Sequence, residues 1–148
     1  MDSSSISLKS FFESWEANMS AGDIPAVVAN FADVFLYAHP RGTLSVRASD
    51  FALALPKRKQ LFDSLRCQPT VLVSLTETKL DNCFTMTRAQ WRMTFAKDDA
   101  GPQEVLVDST YVVSTGGGDY KIVFYLAHQD IMEILKELGI LPTQTTSC

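Results

Sequence analysis

The chain has 148 residues, 46% of them hydrophobic and 20% charged, with a formal net charge of −4. That length suits one domain with a real core, the composition argues against disorder, and the acidic balance leaves no basic footprint for nucleic acid. Cys67, Cys83 and Cys148 stand far apart with no metal-ligand spacing, and no run of about 18 apolar residues offers a membrane span, so a soluble cytoplasmic protein with reduced thiols and no metal or cofactor is expected.

From the N-terminus, Leu8, Phe11, Phe12, Trp15 and Met19 recur at the spacing of an amphipathic helix. Asp23 is a good N-cap and Pro25 fits the first turn of a short second helix, IPAVVANF. The stretch DVFLYAH reads as a strand stopped by Pro40 and turned at Gly42, and TLSVRA as a second strand. Ser49 is placed to cap a helix from about Asp50, with Pro56 kinking or restarting it ahead of Leu61, Phe62 and Leu65. Within it, Lys57-Arg58-Lys59 reads as a solvated face.

After Pro69 the period changes to two. Strands are predicted over 70–80, 83–96, 104–115 and 119–127, separated by DN, KDDAGP and GGG, all with turn chemistry. The glycines of STGGGDYK lack the following Lys-Ser/Thr and helix of a phosphate loop, so they are read as a hairpin turn. A last helix is predicted over 130–138, with Asp130 and Glu133 spaced as a capping box and Gly139 as its C-cap.

The turns let strands be paired. Tight turns at Asp81-Asn82 and Gly117-Gly118 and the loop at 97–103 put Leu72 opposite Trp91, Ser74 opposite Ala89, Trp91 opposite Ser109 and Tyr111 opposite Phe124. One face then gathers Thr87, Ala89, Trp91, Met93, Ser109, Tyr111 and Phe124 without a charge. The other carries Arg88, Arg92 and Asp108, with Arg92 across from Asp108, but also Val71, Val73, Met86 and Leu106. So much apolar surface needs a cover: either the C-terminal helix or, the favoured reading, a second copy in a homodimer.

This order of elements, with the segments VVANFADVFLYAHPRG and SVRASDF, with Phe31, Asp33 and Val34 as F-x-D-V, one residue shorter than the F-x-x-D-V often seen in the family, and with Pro40 and Gly42 at the Pro-x-Gly positions, resembles the NTF2-like superfamily, which includes SnoaL-like cyclases, ketosteroid isomerase and scytalone dehydratase. The Gly-Arg pair that many members carry next is Val46-Arg47 here. The resemblance spans about residues 5–127 of a single-domain chain, with the helix near 130–138 as an extension. It implies an α+β, cystatin-like cone: a curved antiparallel sheet wrapped around N-terminal helices, enclosing a pocket. In isomerases and dehydratases of that fold, a carboxylate or histidine in an apolar pocket abstracts a proton with a tyrosine or acid opposing it, and burial raises the pKa of such a base.

The uncharged sheet face supplies no such base. Candidates are Asp33, His39, Asp50, His128, Glu13 and Glu16, of which Asp33 also suits a strand start and His39 a strand end. Phe35, Tyr37 and His39 share one side of their strand, and which side faces in is open. Tyr37, His39 and Asp33 are the catalytic candidates; Trp15, Thr87, Trp91, Met93, Ser109, Tyr111 and Phe124 are the pocket candidates, although Trp91 and Tyr111 fit a simple core equally well. Three functions stay open: a neutral aromatic pocket for a small apolar or weakly polar molecule, a cofactor-independent isomerase, cyclase or dehydratase, and a dimerisation module without ligand.

Overall fold

The computed structural model describes residues 7–96, 101–117 and 119–140. Residues 97–100 of the expected loop, Gly118 of the glycine turn, and the tail with Cys148 lie outside the described residues.

Helix α1 (Leu8–Ala21) begins where the Ser7 hydroxyl accepts from the Ser10 N–H and ends at Gly22, whose φ of 74° is the left-handed geometry a C-terminal glycine adopts without strain. Its apolar stripe is buried as the spacing requires: Leu8, Phe11, Phe12 and Trp15 all face the core. Helix α2 (Ile24–Val28) starts on the Asp23 carboxylate, which accepts from Ala26 N–H. It is shorter than IPAVVANF because strand β1 (Phe31–His39) already starts at Phe31. A two-residue turn at Pro40-Arg41 leads into β2 (Gly42–Arg47), His39 pairing with Gly42. Helix α3 (Ala48–Ser64) starts at Ala48 with no side-chain cap, so Ser49 lies inside its first turn, and it continues through Pro56.

The remaining strands are β3 (Val71–Lys79), β4 (Phe84–Phe95), β5 (Gln103–Ser114) and β6 (Lys121–Ala127), followed by α4 (Ile131–Glu137). Asp130 caps α4 by accepting from the N–H groups of Met132 and Glu133. The expected return half of a capping box is replaced, because the Glu133 carboxylate turns to Arg41. The strand order is β2-β1-β6-β5-β4-β3, and the sheet is mixed rather than wholly antiparallel: β1 and β6 run parallel.

Two bulges alter the expected facing. An extra residue in β3, between Leu72 and Ser74, puts Leu75 rather than Ser74 opposite Ala89, and Glu77 opposite Thr87. Another in β6 leaves Val113 on Ile122 as expected but pairs Tyr111 with Tyr125 and Val112 with Phe124. Beyond a one-residue bulge every side chain changes face. Phe124 therefore leaves the inner face and Tyr125 takes its place. Between β4 and β5 the register is two residues from the expected one, which keeps the faces but sets Trp91 on Val107 and Ala89 on Ser109. Asp108 accordingly reaches Arg88, at 3.5 Å, and not Arg92.

The sheet curls around α1, whose Phe11, Phe12 and Trp15 pack with Phe31, Phe35, Ala89, Trp91, Tyr111, Val113 and Ile122. A second cluster, Leu65, Met93, Phe95, Val105, Leu135 and Ile140, seats α4 against the inner face of β4 and β5 and the end of α3. Helix α4 thus covers the inner face, and the outer face keeps Val71 46%, Val73 44%, Met86 36% and Leu106 52% exposed. No described helix is long and apolar enough to cross a membrane.

Candidate functional site

Strand β1 settles which of its sides faces inward. Phe35 is buried in the main core, and Tyr37 and His39 continue along the same side toward the open end of the cone. Because β1 lies beside β6, and β6 beside β5, Tyr37, Tyr125 and Tyr111 form one row across three strands. Ring centroids are 5.0 Å apart for His39 and Tyr37, 5.2 Å for Tyr37 and Tyr125, and 5.0 Å for Tyr125 and Tyr111. The row runs from a half-exposed histidine to a fully buried tyrosine.

The inner end of this row is filled. Tyr111 is 0% exposed, lies 4.5 Å from Phe12 between ring centroids, and accepts a hydrogen bond of 3.2 Å from Trp91 Nε1. Trp15 packs edge-on against Tyr111 and Tyr125 and contacts Trp91 at 5.9 Å. Burial, together with the neighbouring Tyr125, pushes the Tyr111 phenol far above its ordinary range against its bonds to Ser109 and Trp91. Trp15, Trp91, Thr87 and Tyr111 are buried in the core, and of the expected pocket residues Met93 and Ser109 border a cavity.

The outer end of the row is open. A cavity of about 290 Å³ lies between β1, β5, β6 and α4, bordered by Tyr37, His39, Arg41, Arg58, Met93, Val107, Ser109, Tyr125 and the start of α4. Its volume is at the lower edge of the roughly 300–1,000 Å³ usual for ligand pockets. The lining is not the neutral one expected. Arg41 is held by Asp130 at 2.9 Å and Glu133 at 3.3 Å. Asp108 also borders the cavity, but its carboxylate is engaged on the outer side by Arg88, Gln90 and Gln129.

What remains facing the space is a set of donors. Burial, then Tyr125 and Asp130, push the Tyr37 phenol up against the pull of Arg58, so it stays protonated and donates. His39 Nδ1 accepts from the Arg41 backbone N–H at 3.2 Å, which leaves Nε2 as the ring's N–H donor. Arg58 has no ion pair among the described residues, and its guanidinium lies 4.5 Å from the centroid of Phe62.

Arg58 and Met93 also border a second cavity of about 140 Å³ between α1, α2, α3 and the segment before β3. There Glu16 accepts from the Ser20 hydroxyl at 2.6 Å, and burial raises its carboxyl pKa despite that bond, the Thr70 backbone and Arg58. Of the other candidate bases, Asp33 and Asp50 are exposed and Glu13 pairs with Lys9, while His128 bonds Thr110 at 2.7 Å away from both cavities. Among the described residues no group of three or more His, Cys, Asp or Glu side chains is placed to hold a metal ion.

Arg58 and Tyr125 were missed from the sequence. Arg58 had a signal: with Leu55, Leu61, Phe62 and Leu65 it falls on the apolar stripe of α3, at steps of three, four and seven. Tyr125 had none, since the bulge that turns it inward leaves no residue signature.

No family model matches the chain, and no curated protein matches it. Solved structures do. Aln2 from a Streptomyces species superposes with a TM-score of 0.70 at 12% identity, over 87% of this chain and 92% of that one. An NTF2-like protein with a cystatin-like fold from Novosphingobium aromaticivorans gives 0.67 at 11%, over 80% and 76%. The beta subunit of the benzoate 1,2-dioxygenase from Burkholderia mallei gives 0.67 at 11%, over 86% and 91%. At such identities the likeness is one of fold: this chain has the NTF2-like, cystatin-like cone.

Proposed function

We propose that this cone protein binds a small organic molecule in the cavity beside Tyr37 and His39. The observation that supports the reading is the donor set at that cavity: a protonated phenol, an imidazole whose Nδ1 is engaged by the Arg41 backbone, and a cation without an ion pair among the described residues. Such a lining suits oxygen acceptors on the ligand, with Tyr125, Met93 and Val107 supplying apolar contact. A backbone NMR titration with a library of small oxygenated ring compounds tests it. Shifts are expected at Tyr37, His39, Met93 and Ser109; shifts confined to the outer sheet face would refute it.

The alternative is a cofactor-independent isomerase, cyclase or dehydratase acting by acid–base chemistry on a substrate that reaches from that cavity into the adjoining one of about 140 Å³. Tyr37 and His39 would polarise a carbonyl, and Glu16, the desolvated carboxylate across the Arg58 wall, is the acid–base group that burial tunes upward. Hydrogen–deuterium exchange at the α-carbon of enolisable cyclic ketones separates the two readings. Exchange that falls in Tyr37→Phe and Glu16→Gln supports the enzyme; binding without exchange supports the binder.

The outer sheet face carries a second proposal, a homodimer. With α4 seated inside, the outer face leaves apolar side chains uncovered at both ends, Val71, Val73 and Leu106 toward one and Met86 and Leu36 toward the other. Light scattering should give twice the chain mass, and Leu106→Glu the single mass; a monomer for the unaltered chain would refute it.

A further inference from the structure

Resting on the cavity reading above, we propose that the ligand carries a carboxylate and that Arg58 is the residue that selects it. Arg58 borders both the 290 Å³ and the 140 Å³ cavities, so the wall between them carries a cation. Arg41 and Arg88, the arginines beside Asp130 and Asp108, are neutralised by those carboxylates. Arg58 is half-buried and has no carboxylate within ion-pair distance among the described residues. A half-buried cation without a counter-ion is costly unless something supplies the opposite charge.

Its posture suits a planar anion. Its guanidinium carbon lies 4.5 Å over the Phe62 ring centroid, no described side chain takes its N–H groups, and a guanidinium edge matches a carboxylate with two parallel hydrogen bonds. The Tyr37 phenol adds a donor on the same cavity. Of the acids bordering the two cavities, Asp63, Asp108 and Asp130 are each held by a cation of their own, Lys59, Arg88 and Arg41, and Glu16 accepts from the Ser20 hydroxyl.

Isothermal titration with 2-naphthoate and phenylacetate, each against its primary amide, tests the proposal on the full chain and on Arg58→Met and Arg58→Lys. Losing a charge-assisted pair is expected to weaken binding about ten- to a hundredfold, so the acids should exceed their amides by that factor. Arg58→Met should cost each acid about ten- to a hundredfold more than it costs the matching amide, closing the gap between them, and Arg58→Lys should fall between. Equal affinity of acid and amide in the unaltered protein, or a preference that survives Arg58→Met, would overturn the role of Arg58 and leave the cavity as a ligand site. Absence of binding by all four probes would overturn the cavity reading and this proposal together. Should Arg58→Met fail to fold, the Lys variant carries the comparison, and an unchanged acid preference there with an unchanged salt dependence counts against Arg58.

Discussion

Replacing Tyr111 with Phe separates a structural tyrosine from a catalytic one. The substitution removes a single oxygen and leaves the ring, so stacking on Tyr125 at 5.0 Å and contact with Phe12 at 4.5 Å persist, and almost no cavity is created. What is lost is the acceptor for Trp91 Nε1, at 3.2 Å, and the partner of the Ser109 hydroxyl. Ser109 borders the larger cavity, where its hydroxyl can be solvated, but the Trp91 indole is 4% exposed and its N–H has nowhere to turn. An orphaned buried donor costs about 1–3 kcal/mol. For a chain of this size that lowers Tm by roughly 3–9 °C, taking ~3 °C per kcal/mol. Urea denaturation of both proteins, followed by tryptophan fluorescence, measures the difference at constant slope. A loss below about 0.5 kcal/mol, under half the smallest of those costs, would refute the structural role and return the hydroxyl to the list of groups available for chemistry. Ligand binding in the cavity should be unchanged, whereas Tyr37→Phe should weaken binding with little effect on stability.

Thr87 is wholly buried and its Oγ1 has no partner among the described residues, so Thr87→Val, of nearly the same shape, is expected to stabilise the fold by about 1 kcal/mol; a loss of stability in denaturant would show that the hydroxyl is satisfied. Burial raises the folded-state pKa of Glu16 above its unfolded value, so its contribution to stability is present at low pH and is lost as pH rises through the raised value. Glu16→Gln keeps an acceptor for Ser20, should be more stable than the unaltered chain at pH 7, and should lose that advantage below about pH 4; a gap independent of pH would count against the desolvated carboxyl. The Cys67 thiol is pushed up to about 11 by burial, with Glu16 as the next cause. At pH 8 its thiolate fraction is then about two orders of magnitude below that of a free thiol, which the greater nucleophilicity of a more basic thiolate offsets in part, and a variant keeping only Cys67 should react with a disulfide reagent more slowly than one keeping only the exposed Cys83.

The amino-acid order by itself determined what repeats over short distances. The stripe Leu8, Phe11, Phe12 and Trp15 put α1 in the core, Asp23 and Asp130 began their helices, and alternation along β4 placed Thr87, Ala89, Trp91 and Met93 inside. It also put Tyr37 and His39 on one side of β1, and those side chains meet at the cavity. Three features were decided only by the tertiary structure. The bulge in β6 exchanges Phe124 for Tyr125 on the inner face, and the one in β3 exchanges Ser74 for Leu75 opposite Ala89, because a strand curling around α1 takes up an extra residue where packing demands it. The parallel pairing of β1 with β6 joins segments some ninety residues apart, a contact no local period encodes. Helix α4 lies over the inner face and closes a cavity onto Arg58, turning one residue of a basic run from solvent to site. Periodicity is a property of neighbours in the chain. Register, curvature and enclosure depend on which distant surfaces bury one another, and on those the functional space of this cone depends.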